Sequence, residues 1–358
     1  MAHESLMKHQ NLYDMKKLIL SLLFGALALP SVAQLMTAQQ ENKDTTINVV
    51  AFFCKNDTLS YQFQELKAKV KDNDTIVERQ MLSTFQLIVR DSTATSYEIE
   101  CIPLETKVDF GKDTLMTHIM QSLVEATGDI NTIITTDEYG RIEHIKNWKE
   151  IKDFSRKMIK SFLDSLYSCR PQLNEALPRA RFESQMTLQF ADEKAYIENS
   201  ADLKLLFSLH GNSFAIGKTE SDDTDAHGWP EQTTVVCGYD KSSEEYGFED
   251  DYFISGRTVT TIPKEDLKET IGNYINLTLS DEYAGKVNDE IKKQELEDAT
   301  VTDVEQYSYF YNGWPSEMEH LKQIEIMGTK IIDYKNAIWT SRVWGIYDNQ
   351  TESSPTDI

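Results

Sequence analysis

From about Ile47, the chain alternates hydrophobic and polar residues, which is the pattern of a β-strand with one buried face. Three runs follow it: LSYQF (59–63), MLSTFQLIV (81–89) and YEIECIP (97–103). Polar stretches separate the runs, so the sequence predicts an antiparallel meander. The residues expected on its buried face are Leu59, Tyr61, Phe63, Met81, Phe85, Leu87, Val89, Tyr97, Ile99 and Cys101.

Hydrophobic residues spaced by three or four positions then predict helices. One begins after a cap at Asp113 and ends at Gly128. The clearest runs from Trp148 to Pro171, where proline stops it. We also predict helix over 180–209.

Other stretches predict strands and one more helix. NTIITTDEYGRIEHI (131–145) predicts two short strands around a turn at Gly140, and 213–260 predicts strands interrupted by two acidic stretches. Pro263, at a first helical position, opens the last predicted helix.

The final predicted element is a β-hairpin that turns at Asn312-Gly313, the strongest short-range signal for a two-residue turn. In that register residue 311 pairs with 314, 309 with 316 and 307 with 318. One face would then be apolar and aromatic: Tyr307, Tyr309, Tyr311, Trp314, Met318, His320, Ile324 and Ile326. The candidate ligand-binding residues are the first five of these, Tyr307, Tyr309, Tyr311, Trp314 and Met318, because Tyr and Trp offer an apolar body with a polar tip.

This order of elements predicts an α+β fold, with a largely antiparallel β-sheet and helices packed on one face. Both halves run from strands through a helix into a hairpin, which indicates two similar halves. We expect a strand meander with two helices at 46–170, packed as one unit with a helix, strands and a hairpin at 171–347. Residues 34–45 are expected to form a flexible linker and 348–358 a disordered tail.

The N-terminus is typical of a secretory signal peptide. Met15-Lys16-Lys17 precedes an uncharged apolar run from Leu18 to Leu29, and small residues lead to a cleavage site after Ala33. Because the run is shorter than the about 20 residues that span a bilayer, we expect residues 1–33 to be removed and no transmembrane segment to remain. The mature chain would reach the periplasm or the cell exterior.

The formal net charge of −23 disfavours nucleic acid as a partner, because phosphate backbones repel an acidic chain. The four cysteines of an exported chain allow three full pairings, and their wide spacing excludes a C-x-x-C motif. For Cys54 and Cys101, which lie in apolar strand-like runs, a buried free thiol is an equal alternative. The other two cysteines are Cys169 and Cys237.

Several stretches approach catalytic or metal-binding motifs without matching them. Gly211 and Gly217-Lys218 enclose one residue more than a phosphate-binding loop uses, and no helical pattern follows. GNSFA lacks the second glycine of a nucleophile elbow, although Ser213 keeps a hydrolase as a remote alternative. DTDAHG, from Asp223 to Gly228, has the wrong residues for a calcium loop. We therefore expect no cofactor, no metal and no catalytic residue.

The leader MKKLILSLLFGALALPSVAQ, the stretch TTDEYGRIEHIKNWKEIKDF and the hairpin YNGWPSEME together resemble an uncharacterised group of exported proteins of Bacteroidetes-type bacteria. The strand alternation is also similar to the curved sheet over helices of periplasmic lipoprotein carriers. That resemblance implies a sheet whose concave face holds acyl chains. The acidic region 219–251 and the long C-terminal region depart from that pattern.

The sequence thus favours an exported, non-enzymatic protein that binds an apolar ligand or a partner between sheet and helices. The ligand would be a lipid, a peptide or another apolar small molecule, and a protein partner would belong to the envelope. The alternative is a structural or interaction protein of the cell envelope with no ligand cavity, in which the aromatic face is core.

Overall fold

The computed structural model describes residues 45–72, 74–127, 130–240 and 251–345 of the chain. The expected signal peptide and tail lie outside these residues, as does nearly all of the expected linker. Most of the second acidic stretch, DKSSEEYGFEDD, lies outside them too. Within the described residues the chain forms thirteen strands and eight helices.

The strands are β1 (Thr46–Asn48), β2 (Thr58–Lys71), β3 (Asp74–Ser92), β4 (Ser96–Asp109), β5 (Thr132–Asp137), β6 (Ile142–Ile145), β7 (Ser213–Ala215), β8 (Gly217–Thr224), β9 (Pro230–Tyr239), β10 (Tyr252–Ile262), β11 (Ala299–Tyr309), β12 (Pro315–Ile326) and β13 (Thr329–Val343). The helices are α1 (Thr114–Thr127), α2 (Trp148–Cys169), α3 (Leu173–Ala176), α4 (Arg179–Leu188), α5 (Glu193–Asn199), α6 (Ala201–Phe207), α7 (Lys264–Thr278) and α8 (Asp281–Lys292).

Eleven strands form one antiparallel sheet, in the order β6-β5-β4-β3-β2-β13-β12-β11-β10-β9-β8. Neighbours in the sheet are neighbours in the chain, except in the middle, where β2 pairs with β13. The two halves of the chain therefore share one sheet. β2 and β13, which are its first and last strands in chain order, pair at its centre. β1 and β7 form a separate two-stranded sheet. The predicted α+β fold with a largely antiparallel sheet is confirmed.

The predicted strand alternation is also confirmed. Leu59, Tyr61 and Phe63 are buried along β2, and the matching positions of β3 and β4 are buried as well. Met81 is the exception, being partly buried beside the same core. Period-two alternation fixes which side chains face the helices, since successive residues point to opposite faces of the sheet.

Most helix predictions hold, with corrections at three places. Asp113 caps α1 as expected, accepting a hydrogen bond from the Met116 amide at 3.0 Å. The single helix predicted over 180–209 is wrong: the chain forms α4, α5 and α6 instead, because Asp192 caps a new helix and Ser200 takes an extended conformation. α8 was not predicted, and Pro263 lies just before α7 as its cap.

The first of the two acidic stretches that were expected to interrupt the strands is TESDDTDAHGW (219–229), and its first half, up to Thr224, lies in β8. All of β8 pairs with β9, from Gly217 opposite Cys237 to Thr224 opposite Pro230. β8 lies at the end of the sheet, and its carboxylates are mostly exposed. Charged side chains on an edge strand hinder pairing with another chain, which accounts for the acidic composition.

The C-terminal hairpin forms, but its turn differs from the prediction. Gly313 has a φ of +81°, whereas a two-residue turn would also require a positive φ at Asn312. The loop instead has three residues, closed by hydrogen bonds between Phe310 and both Gly313 and Trp314. Tyr307 still pairs with Met318, but a register shift places Tyr309 opposite Pro315.

Tyr311 is therefore displaced from the aromatic face. It lies in the turn and is 45% exposed, whereas Phe310 beside it is buried. The prediction that Tyr311 shares a face with Tyr307 and Tyr309 is wrong, because the turn begins one residue earlier than the Asn-Gly signal indicates.

Candidate functional site

The inward-facing aromatic residues of the hairpin lie in the main hydrophobic core. Trp314 has no exposed surface, and Tyr307 and Tyr309 are almost completely buried. The Trp314 ring stacks on Phe53 with ring centroids 3.9 Å apart, and Tyr309 stacks on Tyr252 at 5.1 Å. Met318 is also fully buried. Four of the five candidate ligand-binding residues thus pack against protein; their role in ligand binding stays a prediction.

An irregular segment, 49–57, runs through this core and is held by turns from three parts of the chain. Ala51 donates its amide hydrogen to Tyr139, Phe52 donates to Asn312, and the Gly211 amide donates to Val49. These bonds satisfy backbone groups that would otherwise be buried without partners.

Asp57 ends the segment and is 1% exposed. Its carboxylate accepts hydrogen bonds from the Cys54 amide at 2.8 Å, the Gly345 amide at 2.7 Å and the Trp314 indole at 3.2 Å. Asp57 thereby joins the 49–57 segment to the hairpin and to Gly345, the last described residue. A buried carboxylate needs such partners, because burial without them is costly.

The covered face of the sheet changes character along its strands. The inward-facing side chains of β11 are apolar at both ends of the strand. Ala299 belongs to a second hydrophobic cluster, and Tyr309 belongs to the main core. Between them lie Asp303 and Glu305. The neighbouring strands repeat this arrangement, so charged side chains separate two apolar regions. We call this set the charged belt: Glu65, Lys67, Asp303, Glu305, His320, Lys322, Asp333 and Lys335.

Opposite charges alternate across the strands of the charged belt. Asp303 lies opposite Lys322, which lies opposite Asp333 and then Lys67. Asp333 forms ion pairs with Lys67 at 3.3 Å and Lys335 at 3.5 Å. Burial raises the pKa of Asp333, but the charges of Lys67 and Lys335 outweigh burial and hold it below its usual value. The belt is therefore largely self-neutralising.

One end of the charged belt borders a cleft of about 260 Å³ between the sheet and the helices. Its lining combines apolar side chains with polar ones, since Phe63 and Met81 lie beside Glu65 and Asp202. Burial raises the pKa of Asp202 above its usual value. The full lining is Phe63, Glu65, Met81, Ser83, Asn199, Ala201 and Asp202.

The helices beside this cleft differ in how tightly they pack. α6 inserts Leu203, Leu206 and Phe207 into the main core, where each is at most 4% exposed. None of the residues 179–199, which include α4 and α5, is fully buried. We call this segment the lid segment. Its apolar side chains are only partly buried: Phe182, Met186, Phe190, Tyr196 and Ile197.

The near-motifs of the sequence have structural roles. Gly217 begins β8 with a φ of +102°, so a strand follows it rather than the helix of a phosphate-binding loop. Ser213 lies on β7 and donates a hydrogen bond to the Asn48 side chain at 2.5 Å. Asp225 accepts hydrogen bonds from the His227 and Trp229 amides, which shape the β8–β9 turn. The four cysteines form no disulfide bond with one another.

The charged belt was not predicted, except that His320 was placed on the inward face. A signal was present in the sequence. Continuing the alternation backwards from Tyr307 places Glu305 and Asp303 on the aromatic face, and continuing it forwards from Met318 places His320 and Lys322 there. The alternation of inward and outward positions along the strands therefore predicts the charged belt, although its amino-acid composition resembles that of a solvent-exposed face.

Comparison with known proteins finds no matching family model and no matching curated protein. Among solved structures, the chain is similar to lipovitellin, in a structure of lipid–protein interactions, with 9% sequence identity and a TM-score of 0.34. The match covers 84% of this chain and 26% of the lipovitellin chain. A TM-score this low does not establish a shared fold. Separately, no helix within the described ranges is long and apolar enough to cross a membrane.

Proposed function

We propose that the protein is exported to the periplasm or cell exterior and binds an apolar or amphiphilic molecule, such as a lipid, between its sheet and its helices, without catalysing a reaction. The leader at 15–33 supports export. The observation that carries the binding proposal is the cleft between sheet and helices, which Asn199 at the end of the lid segment helps to line, while no residue of the lid segment is fully buried.

The lid segment would open to admit the ligand. The cleft of about 260 Å³ is smaller than the roughly 300–1,000 Å³ of most ligand pockets, so an acyl chain requires movement. Opening would break the partly buried contacts of the lid segment but would expose none of the fully buried large side chains that contribute about 1.5–3 kcal/mol each. Phe63 and Met81 would contact the apolar part of the ligand, and the charged belt would lie near its polar part.

Retention of lipid by a cleft-filling variant tests this proposal. The mature protein is incubated with a mixed lipid extract, and retained molecules are identified by mass spectrometry. Ser83→Trp fills the cleft and should abolish most retention. Ser308→Trp makes the same change on the opposite face of the sheet and should retain as much as the parent protein. Equal retention by both variants, or none by the parent, would contradict the proposal.

The packing of the inward-facing residues of the hairpin, Tyr307, Tyr309, Trp314 and Met318, favours a second candidate. In this candidate the protein is a structural or interaction protein of the envelope with no ligand cavity. Trp314 and Met318 have no exposed surface, so this packing needs no ligand to complete it. If the protein has no ligand cavity, a soluble quencher should not reduce the fluorescence of Trp314, whether or not lipid has been added. A ligand-dependent change in Trp314 fluorescence, measured in a protein with its other tryptophans replaced, would argue against this candidate.

A further inference from the structure

The middle of the charged belt brings together three side chains that can bind a metal ion. Asp303, Glu305 and His320 each offer a ligand atom, and these atoms lie within 4.8 Å of one another. Strand pairing sets this arrangement, because Glu305 lies directly opposite His320 and Asp303 is two residues away on the same face. The three side chains therefore converge from two rigid neighbouring strands.

A hydrogen bond already links Asp303 and His320. The His320 Nε2 atom lies 2.7 Å from Asp303 Oδ1. Burial raises the pKa of Asp303, but the hydrogen bond and charge of His320, with the charge of Lys322, outweigh burial and hold it below its usual value.

Glu305 differs from the other acidic groups of the belt. Burial raises its pKa, opposed by the charges of His320, Lys204 and Lys335. Within the described residues its carboxylate takes part in no hydrogen bond or ion pair, although it is half-buried. A buried carboxylate without a partner is unfavourable, and a cation bound beside it would remove that cost.

We propose that Asp303, Glu305 and His320 form a binding site for a divalent transition-metal ion, most suitably Zn²⁺. One imidazole nitrogen and two carboxylate oxygens form a borderline donor set of the kind that zinc accepts, with a fourth position open. Bonds of about 2.0–2.2 Å place the ligand atoms about 3.4 Å apart, so small side-chain rotations suffice. The ion would replace the proton between His320 and Asp303.

The surrounding lysines limit the affinity that we expect of the site for a metal ion. Lys322 lies opposite Asp303, and Lys204 is near enough to influence both carboxylates. Their positive charges repel a metal ion, so we expect affinity on the order of micromolar. This site is independent of lipid binding, and either proposal can fail alone.

Calorimetric titration of the untagged, EDTA-treated protein with ZnCl₂ tests the site. We expect one ion per chain, with binding weakened about tenfold or more by Glu305→Gln and by His320→Gln. Lys322→Gln should instead tighten binding, because it removes a repelling charge; general loss of structure would not do so. Each variant is checked by circular dichroism and denaturant unfolding.

The exposed His144–Glu193 pair, 3.6 Å apart, provides the control. His144→Gln should leave zinc binding unchanged. No binding at millimolar zinc would overturn the proposal. So would binding that survives both Glu305→Gln and His320→Gln, or that Lys322→Gln fails to strengthen.

Discussion

His210 Nε2 lies 3.0 Å from the carbonyl oxygen of Gly313. Because a carbonyl oxygen can only accept, the ring nitrogen donates, and the bond joins the loop after α6 to the turn of the C-terminal hairpin. His210 is 1% exposed and lies edge-on to Phe53 and Tyr309. The aromatic core is thus fastened to α6, while the lid segment before α6 is not fully buried. That contrast underlies the proposed opening.

The first prediction concerns Gly313. A Cβ atom added there would overlap the backbone oxygen of Val50, and φ is +81°. Gly228 has the same φ, but among the described residues no atom lies within 4 Å of the place where its Cβ would stand. Gly228→Ala should cost about 1 kcal/mol in the free energy of unfolding, from backbone strain alone. Gly313→Ala should cost roughly 1–3 kcal/mol more, from the clash.

Urea unfolding of both variants measures this difference. Equal losses for Gly313→Ala and Gly228→Ala would mean that the hairpin turn does not press against the 49–57 segment in solution.

The second prediction concerns pH. Burial lowers the pKa of His210 to about 4, opposed by the hydrogen bond that Nε2 donates to the Gly313 carbonyl. Its value in the unfolded chain is about 6.5, so between pH 6.5 and 4 the unfolded state binds more protons. Stability from the neutral ring is complete above about pH 6.5 and falls, by roughly 2–3 kcal/mol, as pH drops towards 4.

Denaturant unfolding at pH 7.5 and 4.5 tests this. His210→Gln removes the titrating group, so it should lose less stability than the parent between these pH values. His227→Gln, at an exposed position, should behave like the parent. If His210→Gln shows the parent's full pH dependence, the ring does not stay buried and neutral.

The third prediction concerns Asp57. Its carboxylate accepts hydrogen bonds from Cys54, Trp314 and Gly345, so Asp57→Ala removes an acceptor from the buried Trp314 indole and from two part-buried backbone amides. We expect a loss of about 3 kcal/mol or more in the free energy of unfolding. Asp91→Ala, at an exposed aspartate paired with Lys55, should change it by less than about 1 kcal/mol. Similarly small losses in the free energy of unfolding for Asp57→Ala and Asp91→Ala would show that Asp57 does not hold the 49–57 segment to Trp314 and Gly345.

The fourth prediction concerns local opening. Backbone amides in α4 and α5 should exchange with deuterium much faster than those in α6, because the lid segment has no fully buried residue and α6 has several. Hydrogen-exchange mass spectrometry resolves these peptides. Uniform protection from α4 through α6 would show that the helices move as one unit and would remove the proposed entry route.

Much of the fold could be predicted from local pattern. Alternation placed Leu59 and Phe63 on the covered face, and the Asp113 cap placed the start of α1. The hairpin was predicted from Asn312-Gly313, but its loop length was not. Of Asn312 and Gly313 only Gly313 takes a positive φ, and the turn lies against the backbone of Val50, a residue distant in sequence. Such a contact is invisible to a local signal.

The candidate site was harder to predict for a related reason. Asp303 and Glu305 occupy inward positions, yet Val304 between them lies on the outer face, so composition alone suggests the reverse orientation. Residues 180–209 were predicted as helix because Phe182, Met186 and Phe190 are spaced by four, although Leu203, Leu205, Phe207 and Leu209 also alternate. The spacing did not show the cap at Asp192 or the extended Ser200, which divide the segment into three helices.

Photolabelling tests the central claim, that an apolar molecule lies between the sheet and the lid segment, most directly. The mature protein is irradiated with a fatty acid that carries a diazirine on its chain, and the labelled peptides are mapped by mass spectrometry. The account predicts labels at Met81–Ser83 on the sheet and at 199–202 on the helices, which are lost in Ser83→Trp. Labels confined to the opposite face of the sheet, or unchanged by Ser83→Trp, would contradict it.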